Sequence, residues 1–143
     1  MPVLRTTLGA ALLAAATLAL AAHSTGAEDR PPTVKEIMKK INRPSTGLLP
    51  DTTMDLKEDE PDWKEIQTHT KEMVALAKAL GKNAPPKGSK ESWEKQTRAY
   101  LANVEALDAA ARKKDKAAAL AAVKKLAPKA GCAGCHQAHR PTE

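Results

Sequence analysis

From residue 33 onward the apolar residues are few, and nearly all of them recur at helical spacing. Val34, Ile37, Met38 and Ile41 share one face of a helix, and Thr33 and Glu36 form a T-x-x-E capping pattern at its start, which predicts a first helix over 33–42. Pro44, Gly47 and Pro50 break it, and the stretch to residue 60 reads as acidic and irregular, with a short helical turn around Met54 and Leu56. Pro61 suits the first turn of a second helix, where Trp63, Ile66, Thr70, Met73, Ala77 and Leu80 alternate at steps of three and four until Gly81. Two prolines mark 83–88 as a tight connection. Ser89 then caps a third helix with Trp93, Thr97, Tyr100, Leu101, Val104 and Leu107 on its inner face, ending near Lys113. Asp115 caps a fourth, alanine-rich helix with Leu120, Val123 and Leu126 inward, which Pro128 should kink or restart. No stretch alternates with period two, so the expected fold is all-α, an antiparallel four-helix bundle.

The segment ahead of this pattern differs in kind. Residues 1–27 hold one charged side chain, Arg5, and Leu8 to Ala22 is a run of 15 small or apolar residues. A membrane span needs about 18 to 20 such residues, so the pattern is that of a cleaved signal peptide, with cleavage between Ala21 and Ala27. No cysteine lies nearby to carry a lipid anchor, and no later run could span a bilayer. The expectation is a domain over 28–143, exported to the periplasm without membrane insertion.

Composition changes the picture once. Of the 23 basic and 17 acidic residues only Arg5 precedes residue 28, leaving 22 against 17 in the domain, and the lysines are interleaved with glutamates. With Trp63, Trp93 and Tyr100 as the only aromatics, a nucleic-acid partner is a poor fit. Leucine, isoleucine and valine supply 16 of the 116 domain residues and phenylalanine none, under the level of about a fifth at which disorder becomes a fair expectation. Either the chain is loose, or alanines let the helices approach closely, or a bulky guest fills the middle; the well-placed helical pattern favours an ordered chain.

The two cysteines of the chain name a guest: Cys132, Ala133, Gly134, Cys135 and His136 make C-x-x-C-H. In this motif each thiol adds across a porphyrin vinyl group to form a thioether, and the histidine becomes the proximal iron ligand. On a helical segment, positions three and four apart share a face, so the three side chains can address one macrocycle. A disulfide, a thiol-redox pair and a zinc site using Cys132, Cys135, His139 and a distant ligand such as His69 are the weaker alternatives.

A helical bundle with this motif at its C-terminal end, and Arg140 four residues past His136, resembles the class II cytochromes c, the family of cytochrome c′ and its methionine-ligated low-spin relatives. Where members carry an aromatic residue before that arginine, this chain has His139. The resemblance covers the whole of 28–143 and implies one covalent haem c, held by Cys132, Cys135, His136 and Arg140. It further implies an electron carrier rather than an enzyme, with redox partner proteins, and a homodimer as the common assembly. Low-spin members carry a methionine where Met38 stands, in Glu36-Ile37-Met38-Lys39-Lys40, which makes Met38 the expected sixth ligand. A methionine at helical spacing is otherwise a core residue. With the sixth position empty, the haem would bind small gases such as NO or CO, as in cytochrome c′. His69, at the edge of the second helix's apolar stripe, is the other candidate ligand. Lysine clusters at 39–40, 113–116 and 124–125 read as solvated faces that could also steer an acidic redox partner.

Overall fold

A computed structural model of the chain describes residues 30–127 and 131–141, and every regular element among them is a helix. The expected signal peptide, 1–27, lies outside the described residues. None of the described helices is long and apolar enough to cross a membrane.

The first helix, α1 (Val34–Asn42), begins as its sequence dictates. The Thr33 backbone N–H donates to Glu36 Oε2 at 2.8 Å, and the Glu36 N–H donates back to Thr33 Oγ1 at 3.3 Å, which satisfies two otherwise orphaned donors. Ile37 and Ile41 are fully buried, while Met38 is partly buried against the same core.

The stretch read as irregular is largely a helix, α2 (Leu48–Asp55). Pro50, taken as a breaker, sits in its first turn, where the backbone N–H that proline lacks has no intrahelical acceptor to lose. Leu48, Leu49 and Leu56 are buried. What drives this segment helical is burial rather than periodicity: two adjacent leucines and one eight residues on leave no repeat to detect.

Next come α3 (Trp63–Lys82), with Asp62 Oδ1 accepting from the Lys64 and Glu65 amides at 3.0 and 3.1 Å, and α4 (Lys90–Arg112), capped by Ser89. These two share the most extensive interface of the fold. Their register is antiparallel. Trp93 Nε1 donates to the Asn83 carbonyl at 2.8 Å near one end, and Gln67 Nε2 to the Ala111 carbonyl at 3.0 Å near the other. Between them the buried Thr70 hydroxyl donates to Asp108 Oδ1 at 2.9 Å, and Arg112 closes on the other carboxylate oxygen at 2.5 Å, so the carboxylate enters the core paired on both oxygens.

The predicted fourth helix is two elements, α5 (Lys116–Leu126), capped by Asp115, and α6 (Ala133–His139). Ala127 ends α5 in an extended conformation, φ −63° and ψ 154°, as a residue ahead of proline must to avoid the ring of Pro128. Gly131 brings the chain back under the end of α5. Its amide donates to the Ala127 carbonyl at 2.9 Å, and any Cβ there would run into the Lys125 carbonyl. The motif segment is thereby turned away from the axis of α5 and laid against α4.

Side chains fill more of the interior than the thin aliphatic content implied. Ala77, Ala110, Ala111, Ala119 and Ala122 are buried alongside Ile66, Leu107 and Leu126, so alanines bring α3, α4 and α5 close. Guest-sized space remains beside the motif segment, in two adjoining cavities that share Asn42 and Cys132.

His139 locks α6 in place. It is 2 % exposed, its Nδ1–H donates to the Lys87 carbonyl at 2.6 Å, and its Nε2 accepts from the Ser92 hydroxyl at 3.1 Å. Its ring also stands edge-on to Trp93, with centroids 5.2 Å apart. The Lys87 carbonyl is reached over Gly88, which has φ +80° and whose missing Cβ would lie 2.8 Å from the Ala138 carbonyl. Gly88→Ala should therefore lower stability by about 1–2 kcal/mol, through strain and a forced retreat of α6. A thermal melt of the purified variant checks this; a midpoint equal to wild type would contradict it.

Candidate functional site

Four segments of the chain converge on one apolar cavity of about 240 Å³. From α1 come Met38 and Asn42, from α3 Leu80, from α4 Gln96, Thr97 and Tyr100, and from the start of α6 the segment holding Gly131, Cys132, Ala133, Cys135 and His136. Met38 lines it because it flanks buried Ile37 and Ile41 on the inner side of α1. The motif residues line it because Gly131 folds the chain back beside α5 while His139 pins the far end of α6. Gly134 faces the Gln96 side chain, which a Cβ there would meet at 3.4 Å, an ordinary contact. Among the described residues, no aspartate, glutamate, lysine or arginine lines it.

The two cysteines are half-buried, and the Cys132 thiol donates to the Leu126 carbonyl at 3.4 Å. Burial raises both thiol pKa values, and for Cys135 the neighbouring Cys132 adds to the effect. A thiol-redox pair needs the opposite, a thiol lowered by a helix N-terminus or a cation. In haem-free protein at pH 8 these thiols should alkylate several-fold more slowly than in the denatured chain. Alkylation faster in the folded state would contradict this.

The remaining polar groups of the cavity are unevenly matched. Thr97 donates to the Trp93 carbonyl at 2.9 Å. Asn42, the last residue of α1, reaches back one turn, its Nδ2 standing 3.4 Å from the Met38 carbonyl and 3.7 Å from Met38 Sδ. The Tyr100 hydroxyl is buried without a hydrogen-bond partner. Burial raises its pKa strongly, the nearby Cys132 adds to this, and the adjacent Asn42 amide offsets only part.

Of the residues singled out from sequence, Cys132, Cys135, His136 and Met38 are brought together on this cavity. Arg140 is exposed just past α6, and its backbone N–H donates to the His136 carbonyl at 3.0 Å. His69 is not among the lining residues. It lies on α3 beside Glu65, Nε2 to Oε1 3.8 Å, and with Asp55 and Glu65 forms a separate group of ligand-type atoms within 4.8 Å of one another. The zinc set is not assembled either, because both ring nitrogens of His139 are already engaged by Lys87 and Ser92. Periodicity treated Tyr100 as packing and overlooked Asn42, although position 42 stands four after Met38 and so on the same helix face.

A second cavity, of about 460 Å³, lies beside the first and shares Asn42 and Cys132 with it. Leu49 and Pro50 of α2, Val123 and Leu126 of α5, and the exposed Met54 form its walls. Compared with family models, with curated proteins and with solved structures, the chain shows no match.

Proposed function

We propose that the chain is an exported one-electron carrier of the class II cytochrome c type, a four-helix bundle in which α1, α3, α4 and the α5–α6 segment surround one covalent haem c. The observation that carries the reading is the placement of Met38, near one end of the chain, on the same cavity as Cys132, Cys135 and His136, near the other. Nothing in helical periodicity requires that meeting, whereas an iron held by both a thioether and an imidazole would.

The residues present suit the group. Apolar walls with no fully charged side chain among the described residues match a flat macrocycle, and the two cavities sharing Cys132, of about 240 and 460 Å³, together reach the size range of cofactor sites, about 300–1,000 Å³. The buried Tyr100 hydroxyl without a partner is what a cleft shaped for a larger occupant leaves behind.

When bound, the haem supplies a single-electron couple whose potential depends on its axial ligands and surroundings. The chain does the rest. Cys132 and Cys135 would hold the group as thioethers, and His136, on the short α6 pinned by His139, would ligate its iron. Met38, from α1, would be the further iron ligand and would exclude others. Leu80, Thr97 and Tyr100 keep bulk water from the iron's surroundings. His139 takes up the packing role that an aromatic residue has in the family pattern, edge-on to Trp93. Lysines 39, 40, 124 and 125 on the neighbouring α1 and α5 supply positive charge that would steer an acidic partner protein, as a rate effect that salt screens.

The test is the reaction of the reduced protein with carbon monoxide. Low-spin haem that takes up the gas slowly and incompletely supports the carrier. Rapid, complete uptake by a high-spin protein would contradict it and favour the five-coordinate, gas-binding function.

A further inference from the structure

The sulfur of Met38 is not in purely apolar surroundings. A thioether is a weak acceptor on a flexible side chain with three rotatable bonds, so a donor aimed at it selects one orientation among several. Asn42 supplies that donor at 3.7 Å, a sulfur-length hydrogen bond, from the residue one turn further along α1. Closing the last turn of the helix would require only the contact to the Met38 carbonyl, at 3.4 Å. Beside this amide stands the Tyr100 hydroxyl, buried and unpartnered, on the same cavity.

We propose that Asn42 is a positioning residue for Met38, its side-chain amide Nδ2 donating one hydrogen to the sulfur while the Tyr100 hydroxyl oxygen accepts the other and so fixes which end of the amide faces Met38. The proposal rests on the carrier reading above, in which Met38 is an iron ligand. The phenol is suited to the part: Asn42 is its polar neighbour and lowers its pKa as a donor to the phenol oxygen does, and that oxygen has no other partner among the described residues. A hydrogen bond drawing electron density from the sulfur weakens its donation to ferric iron more than to ferrous, which raises the reduction potential.

The experiment compares wild type, Asn42→Leu and Tyr100→Phe as haem-loaded proteins, reading the reduction potential and the near-infrared band of methionine-bound ferric haem. Asn42→Leu should shift the one-electron equilibrium about threefold toward the oxidised form, close to 30 mV at 59 mV per tenfold, or detach the sulfur and lose the band. Tyr100→Phe, which keeps the ring, should move the potential in the same direction by less. A wild type showing the band, with both variants leaving band and potential unchanged, overturns the proposal while leaving Met38 as ligand. If Asn42→Leu does not fold, an unchanged potential in Tyr100→Phe overturns it alone. A wild type without the band overturns the ligand assignment and this inference together.

Discussion

Replacing Cys132 and Cys135 together with alanine should reduce haem recovered with the polypeptide by more than tenfold, because both thioether anchors would be lost and only apolar walls, the exposed His136 imidazole and the Met38 sulfur would remain to hold it. The loss should be uneven across the fold. Around α3, α4 and the first part of α5, buried Ile66, Leu107, Ala111 and Ala119 and the Thr70–Asp108–Arg112 chain need no guest, so helical circular dichroism should largely persist. The melting midpoint should fall, since whatever binds only the native state adds to its stability. Hydrogen exchange should accelerate most in α1 and α6, which face each other across the cavity. A variant that retains haem in full, or melts like wild type, would contradict this.

Met38→Ala should convert a low-spin haem to a high-spin one that binds carbon monoxide readily. Losing the thioether, which stabilises the reduced iron, should also lower the reduction potential by more than tenfold in the one-electron equilibrium, about 60 mV or more. The haem should stay attached, because Cys132, Cys135 and His136 are untouched, and stability should fall by about 2–3 kcal/mol from the truncated side chain, less where water or another ligand enters. Optical spectra of both oxidation states and a redox titration decide it. A spectrum unchanged by the substitution would make Met38 a packing residue. A spin-state change in His69→Ala instead would contradict the position of His69 outside the cavity lining.

Much of this fold was legible because helical periodicity and capping chemistry agree. Thr33, Ser89 and Asp115 cap where the sequence places caps, and Ile66, Thr70, Met73, Ala77 and Leu80 are all buried as their spacing implies. The helix over 48–55 was not legible, since its proline and glycine are breakers by type and only their positions, first turn and N-cap, make them compatible with it. The candidate site was half legible. A chemical motif marked Cys132, Cys135 and His136, and a family position marked Met38. The Asn42 amide and the Tyr100 hydroxyl matter through where their polar atoms end up, and a pattern of apolar residues carries no information on that. His139 was likewise noticed as a departure, and its two hydrogen bonds to loop and helix show what the imidazole does that a plain aromatic ring could not.

The most direct test of the whole account is the intact mass of the exported protein after acid–acetone extraction. The account predicts a chain cleaved between Ala21 and Ala27 that carries one haem, still coloured after extraction. A mass equal to the bare polypeptide, with the porphyrin in the acetone or no porphyrin at all, would contradict it.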